Sequence, residues 1–283
     1  MNGGAIGLRN VYALDSVSGV FDLPRDLTGG GFVGKRRVPG IDGYPGVWSL
    51  REIGDAMRAG AWIDPHWANV KALLQFEGVD GSTTITDATG LHAWTARGNA
   101  QIDTDVKIFG KSTLLLDGTG DWVDTPNHAD FRLGGLDYTI DMLVQVAVAK
   151  FAALSNKRDS SSAEEHGWYA SDDGSMSMVL YSGGSPIGTV TAPAGSLSVG
   201  VTHHVETSRS GTTMKMFVDG VLVGTTTGVT GSASTNTSGL RVGRDGFNTG
   251  RDFNGRIKSY RFTLGVQRHA SDFIPPIPLF PER

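Results

Sequence analysis

From residue 68 onward the chain alternates apolar and polar residues in short runs, separated by Gly, Asp, Asn and Ser. Period-two alternation lets an extended segment bury one side and solvate the other, so each run reads as a strand. The pattern predicts strands near 70–76, 92–97, 111–117, 121–124, 137–147, 150–155, 167–171, 176–182, 186–191, 201–208, 213–218, 221–227, 239–243 and 254–264. Met216 to Val223 is the clearest hairpin, because Asp219-Gly220 suits a two-residue type I′ turn. So many strands without intervening helices predict an all-β sandwich or jelly roll rather than a parallel α/β sheet.

The pattern before residue 68 is different. Residues 1–47 carry consecutive turn signals at Gly29-Gly30-Gly31, Pro39-Gly40, Asp42-Gly43 and Pro45-Gly46. Val11, Tyr12, Val20, Phe21, Leu23 and Phe32 make the stretch more apolar than a disordered tail. It reads as an extended arm that orders against a partner. Residues 49–60 then read as a short helix. Ser49 and Glu52 form a capping box, Leu50, Ile53 and Met57 share one face, and Gly60 stops it. Trp48, Trp62 and Trp67 flank this segment and, with the apolar face, make 1–67 a docking unit ahead of a sandwich at 68–283.

Composition narrows the function classes. With a net charge of −4, a pI near 6.0 and only Lys35-Arg36-Arg37 as a basic cluster, the chain lacks the basic stripe that nucleic acid requires. Apolar residues make up 39%, enough for a sizeable core, and 40 glycines suit a fold dense in tight turns. There are no cysteines to staple the fold. The start, Met-Asn-Gly-Gly-Ala-Ile-Gly, has no signal-peptide pattern, and no apolar run approaches a membrane span, so cytoplasmic synthesis without membrane insertion is expected.

Several strands carry more than a generic pattern. Val70–Gly78 with Asp80-Gly81, Phe109–Gly118 with Gly120-Asp121-Trp122-Val123, Asp137–Val144, Thr202–Glu206 with the 216–224 hairpin, and Phe253–Phe262 with Phe273-Ile274-Pro275-Pro276 follow one another in a fixed order. In that order they resemble laminin-G/pentraxin-like domains, which implies a concanavalin A-like jelly-roll sandwich of two antiparallel sheets. The sequence departs from that family at Val201-Thr202, where a tryptophan is usual, and at Met142 and Gln145, where bulkier aromatics are common. The segment Gly46–Arg51, continuing through Gly60 and Trp62 to Asp64-Pro65-His66-Trp67, is similar to the stretch that precedes such sandwiches in tailed-bacteriophage minor tail and other virion proteins.

These resemblances imply a non-enzymatic virion structural protein: a minor tail, fibre or decoration component. Its arm would join other virion proteins, its sandwich would contact host-surface glycan, and it would form a homo-oligomer. A free-standing glycan-binding adhesin is the alternative, and a polysaccharide hydrolase or lyase a third. Hydrolysis would need two carboxylates about 5–9 Å apart. Glu164-Glu165, the nearest pair, follows Asp159-Ser160-Ser161-Ser162 and reads as a polar loop. Of His203 and His204, one imidazole is expected inward with its nitrogens hydrogen-bonded. Glycan stacking needs an exposed ring, and Trp122, Trp168 and Tyr169 are the candidates, with Trp94 also near a loop. No cofactor is required. The resemblance does allow Ca²⁺ at the rim, through Asp121, Asp124 and Asn127, with Asp117 capping the turn. No Cys/His grouping at zinc spacing is legible.

Overall fold

The computed structural model describes residues 64–160, 164–275 and Phe280. In chain order its strands are β1 (Val70–Leu74), β2 (Thr84–Ile85), β3 (Trp94–Arg97), β4 (Gln101–Ile108), β5 (Lys111–Asp117), β6 (Trp122–Thr125), β7 (Tyr138–Val146) and β8 (Ala152–Arg158). There follow β9 (Glu164–Ala170), β10 (Met176–Ser182), β11 (Ser185–Ala192), β12 (Thr202–Ser210), β13 (Thr213–Val218), β14 (Val221–Thr226), β15 (Leu240–Val242) and β16 (Asn254–Leu264). The described helical structure is two 3-10 turns, at Trp67–Asn69 and Ala129–Phe131. The first sheet runs β14-β13-β12-β7-β16-β5-β4, with β1 also paired to β16; the second runs β11-β10-β9-β8-β15-β6-β3-β2. Every pairing is antiparallel, as the sandwich reading expects.

Cross-strand register decides which side chains enter the core. In the second sheet Ala96, Val123, Val242, Ser155, Trp168, Met178 and Val190 stand opposite one another across six pairings. All of them except the half-buried Ala96 are buried, so this row faces the first sheet. One residue along each strand, the row Thr95, Asp124, Arg241, Asn156, Gly167, Val179 and Thr189 faces the other way, because successive side chains alternate. The first sheet answers with Tyr138, Ile140, Met142, Val144, Tyr260 and Phe262. Edge contacts of Trp94 with Tyr260 (6.2 Å) and of Phe131 with Phe262 (5.4 Å) lock the layers together.

The outer face of the first sheet is also buried. There Asp141 receives both Nε and Nη2 of Arg261 (3.0 and 2.7 Å), a fork matched to a carboxylate. Arg261 Nη1 also donates to Asp64 (3.1 Å), which holds Arg268 through both oxygens at 2.8 Å. His204 lies 3.4 Å from Asp141, and His269 pairs with Glu206 at 2.7 Å while stacking on Phe273 at 3.5 Å. Phe280 closes a small cluster with Val70, Leu73 and Leu143, against which Trp67 packs. The two ends of the described chain thus form a cover over this face. Asp64 and Trp67 both pack against the sandwich.

Other expectations were partly met. The Asp219-Gly220 hairpin has positive φ at both residues (51° and 80°), as a type I′ turn demands. A Cβ on Gly220 would lie 1.9 Å from the Phe273 carbonyl oxygen, so glycine also admits the C-terminal cover there. His203 has both nitrogens engaged, by the Ser198 amide (3.2 Å) and by Asp219 (2.7 Å). His204 points to the opposite face, into the buried ion network. Glu164-Glu165 lies not in a loop but on β9, buried, with a register shift in the β8–β9 pairing. Residues 101–108, not anticipated as a strand, form β4. The arm, the helix at 49–60 and Trp48, Leu50, Ile53, Met57 and Trp62 lie outside the described residues.

Candidate functional site

The outer face of the second sheet carries a second buried polar group, with exposed rings at its edge. Its centre is Tyr169. Trp168 faces inward, so Tyr169 must face outward, and its ring lies back over Gly167: a Cβ there would come within 2.3 Å of the phenol oxygen. Glycine two residues earlier on the same face is what lets the ring lie flat. The hydroxyl accepts from Asn156 Nδ2 and Arg158 Nη1 (both 3.2 Å) and donates to Asp245 (3.4 Å).

Arg158 ties the group together. It forms an ion pair with Glu164 and lies 3.5 Å from Asp245. Its guanidinium stands over the rings of Tyr181 (5.8 Å) and Phe247 (5.2 Å). Asp245 opens the β15–β16 loop and organises it. Its carboxylate accepts the amides of Phe247 (2.9 Å) and Asn248 (3.1 Å) and Nη1 of Arg251 (3.0 Å). The loop sits tight on the sheet at Gly246, where a Cβ would lie 1.6 Å from Arg241 Nη1 and 1.9 Å from the Arg158 carbonyl oxygen.

Electrostatics follow from this packing. Burial opposes ionisation of Asp245, but the loop amides, Asn248 and Arg158 outweigh it and hold the carboxyl below its usual range. Glu164 shifts the other way, since burial prevails over the Arg158 charge. Burial, reinforced by the Asp245 charge, pushes the Tyr169 phenol up. The phenol stays neutral and able to donate.

Two phenylalanines flank this polar centre and remain exposed: Phe151 at 42% and Phe247 at 46%. Phe151 stacks on Tyr169 (5.2 Å, 19°), and Arg251 reaches over Phe151 at 4.9 Å. Further along the same face Trp122 lies under the Arg244 guanidinium (4.3 Å) and donates to Asp124 (3.2 Å). The face is an aromatic floor set with guanidinium donors and carboxylate acceptors. Such a surface suits a ring with one apolar face and hydroxyls at its edge.

The candidates divide accordingly. Tyr169 and Trp122 are on this face, but Tyr169 is only 3% exposed, beneath Phe151, and offers no free stacking surface itself. Trp168 is fully buried between the sheets and offers no stacking surface, and Trp94 is likewise inside. Asp121 is buried and spends its oxygens on the amides of Asn99 (2.8 Å) and Asp117 (3.0 Å). Asp124 is engaged by Arg97 Nε (3.1 Å) and Trp122, and Asn127 Oδ1 is buried without a hydrogen-bond partner. Asp121 and Asp124 are thus engaged by protein donors, while Asn127 Oδ1 is not. Asp117 caps its turn as expected, accepting Thr119 N at 2.7 Å. Phe151, Arg158, Asp245 and Phe247 escaped sequence reasoning, and Glu164 was assigned to a loop. Their one signal was Gly167 beside Trp168-Tyr169.

The comparisons agree with the fold. A family model described as the concanavalin A-like lectin/glucanases superfamily matches residues 117–264, just over half of the 283-residue chain. Domain 4 of AbnA, a GH43 extracellular arabinanase from Geobacillus stearothermophilus solved with arabinotriose, superposes with a TM-score of 0.51 at 17% identity. That match covers 70% of this chain and 93% of the arabinanase domain. The binding domain of Paraclostridial Mosquitocidal Protein 1 gives 0.55 at 13% identity over 71% of this chain and 50% of that one. The binding domain of botulinum neurotoxin DC, solved in complex with SialylT, gives 0.51 at 10% identity over 72% and 48%. The chain spans about half the length of these toxin domains. No curated protein matches it.

Proposed function

The chain belongs to the concanavalin A-like lectin/glucanase superfamily, and on that premise we propose that it is a non-catalytic glycan-binding module whose site is the outer face of the second sheet. The observation that carries the reading is the exposed pair Phe151 and Phe247 on either side of the buried Tyr169–Arg158–Asp245 centre. Sugar C–H groups would lie on the rings, with hydroxyls meeting Arg251. Relatives solved with arabinotriose and with SialylT support a sugar as the ligand class. The pairing of both Glu164 and Asp245 with Arg158 supports a binding rather than a hydrolytic role.

The test is a glycan array followed by titration of the best ligand. Phe151→Ala and Phe247→Ala are each expected to weaken binding roughly tenfold or more, on the order of 1.4 kcal/mol. Their melting temperatures should stay near the parent's, since both rings are exposed. Binding that survives both substitutions would move the site elsewhere.

We further propose that the module is carried on a bacteriophage virion through its N-terminal residues. Support comes from the apolar, turn-rich sequence of 1–47 and the likeness of 46–67 to phage tail proteins. A chain starting at residue 64 is expected to fold and to bind glycan but to fail to join its particle. One starting at residue 67 should also lose stability, because Asp64 goes with the cut. Normal incorporation of the shorter chains would rule out the arm.

A further inference from the structure

We propose that His92, His128 and Asp130 form a site for a divalent transition metal of the zinc class at one rim of the second sheet. His92 precedes β3, and His128 and Asp130 follow β6. β3 and β6 pair antiparallel, Thr95 opposite Asp124 and Arg97 opposite Trp122. The segment entering one strand and the segment leaving the other therefore emerge side by side. This juxtaposition joins residues 36 positions apart, beyond the reach of a spacing motif.

The geometry fits an ion. Asp130 Oδ2 lies 3.0 Å from His92 Nε2 and 3.2 Å from His128 Nδ1, and the ligand atoms all fall within 4.8 Å of one another. A tetrahedral ion with bonds of about 2.0–2.1 Å holds its ligands about 3.3–3.4 Å apart. His92 is held in place by its packing on Phe131 (4.5 Å), with 9% of its side chain exposed; His128 is 53% exposed, which leaves room for a water ligand.

His128 Nδ1 has one lone pair to give. His128 Nδ1 accepts the Asp130 amide at 3.2 Å, as the N-cap of the Ala129–Phe131 turn. In that role it carries no proton, yet it faces the Asp130 carboxylate oxygen at the same distance. A cation would take that one lone pair in place of the Asp130 amide, and the exposed turn leaves the freed amide to water. Two imidazole nitrogens with one carboxylate oxygen suit zinc, nickel or copper better than calcium, which wants oxygen ligands. The buried Asp141–His204–Glu206 group is not comparable, because the Arg261 guanidinium already neutralises both Asp141 oxygens and His269 holds one oxygen of Glu206. A bound ion would pin the loop before β3 to the turn after β6.

The test is calorimetric titration of tag-free, chelator-treated full-length chain with Zn²⁺, alongside Co²⁺ uptake followed by its visible absorption. Roughly one ion per chain is expected, with imidazole coordination in the cobalt spectrum. His128→Gln and Asp130→Asn should each weaken uptake at least about tenfold. His128 is exposed, so its substitution leaves the fold in place, as a melting curve will verify. His203→Gln should leave uptake unchanged, and millimolar Ca²⁺ should not displace the ion. Absence of stoichiometric Zn²⁺ uptake, a loss smaller than tenfold in both site variants, or displacement by Ca²⁺ would overturn the assignment.

Discussion

Asp141→Ala is expected to destabilise the sandwich by about 3–5 kcal/mol, the range for stripping one partner from a buried ion pair. The substitution leaves Arg261, 2% exposed, with its Nε and Nη2 unpaired and His204 without its acceptor. A urea unfolding series at neutral pH reads the loss as a lower midpoint. The pH dependence gives a second check. Burial opposes ionisation of Asp141, but the Arg261 guanidinium and the His204 hydrogen bond outweigh it and hold the carboxyl well below the usual range. A depressed native pKa means the stabilisation is complete above the unfolded value of about 3.9 and fades as pH falls toward the native value. The gap between parent and Asp141→Asn should therefore be widest at neutral pH and narrow below about pH 4. Equal midpoints at pH 7 would mean that the network contributes specificity and no stability.

Trp168→Ala carries the other large effect. The ring is fully buried, opposite Met178 and Ser155 in the inward row, and its removal should cost about 3–5 kcal/mol. Its Nε1 has no hydrogen-bond partner, so Trp168→Phe sacrifices volume alone and should retain most of the stability. Trp122→Ala, at a half-exposed position under Arg244, should cost far less. Where Trp168→Ala remains folded its glycan affinity should match the parent's, because the ring lies on the wrong side of the sheet. Loss of affinity at parental stability would return Trp168 to the binding site.

The strand pattern was legible because alternation is local. It missed β4 even though Ile102, Thr104, Val106 and Ile108 alternate with Gln101, Asp103, Asp105 and Lys107; the polar half is strongly charged, and the pairing with β5 shifts register between Asp103 and Ile108. The site was legible only as a choice: Trp168-Tyr169 required one ring per face, but which ring faced the core depended on pairings with β8 and β10, far along the chain. Glu164 was misplaced because a polar run before it masks the start of β9. Asp245 and Phe247 come from a loop whose course over Tyr169 is set by tight approaches at Gly246, which no periodicity encodes. The His92–His128 proximity is likewise a product of strand pairing.

The clasp of Asp64 with Arg261 and Arg268 has a consequence for how this domain can be built into larger proteins. The polypeptide enters the sandwich and returns to within a single ionic contact of its entry point. A unit whose entrance and exit coincide can be spliced into a surface loop of a host protein without stretching either flank. The same clasp makes the entry and exit strands resist separation together, so tension drawn across the junction would load charged contacts in shear before peeling either sheet.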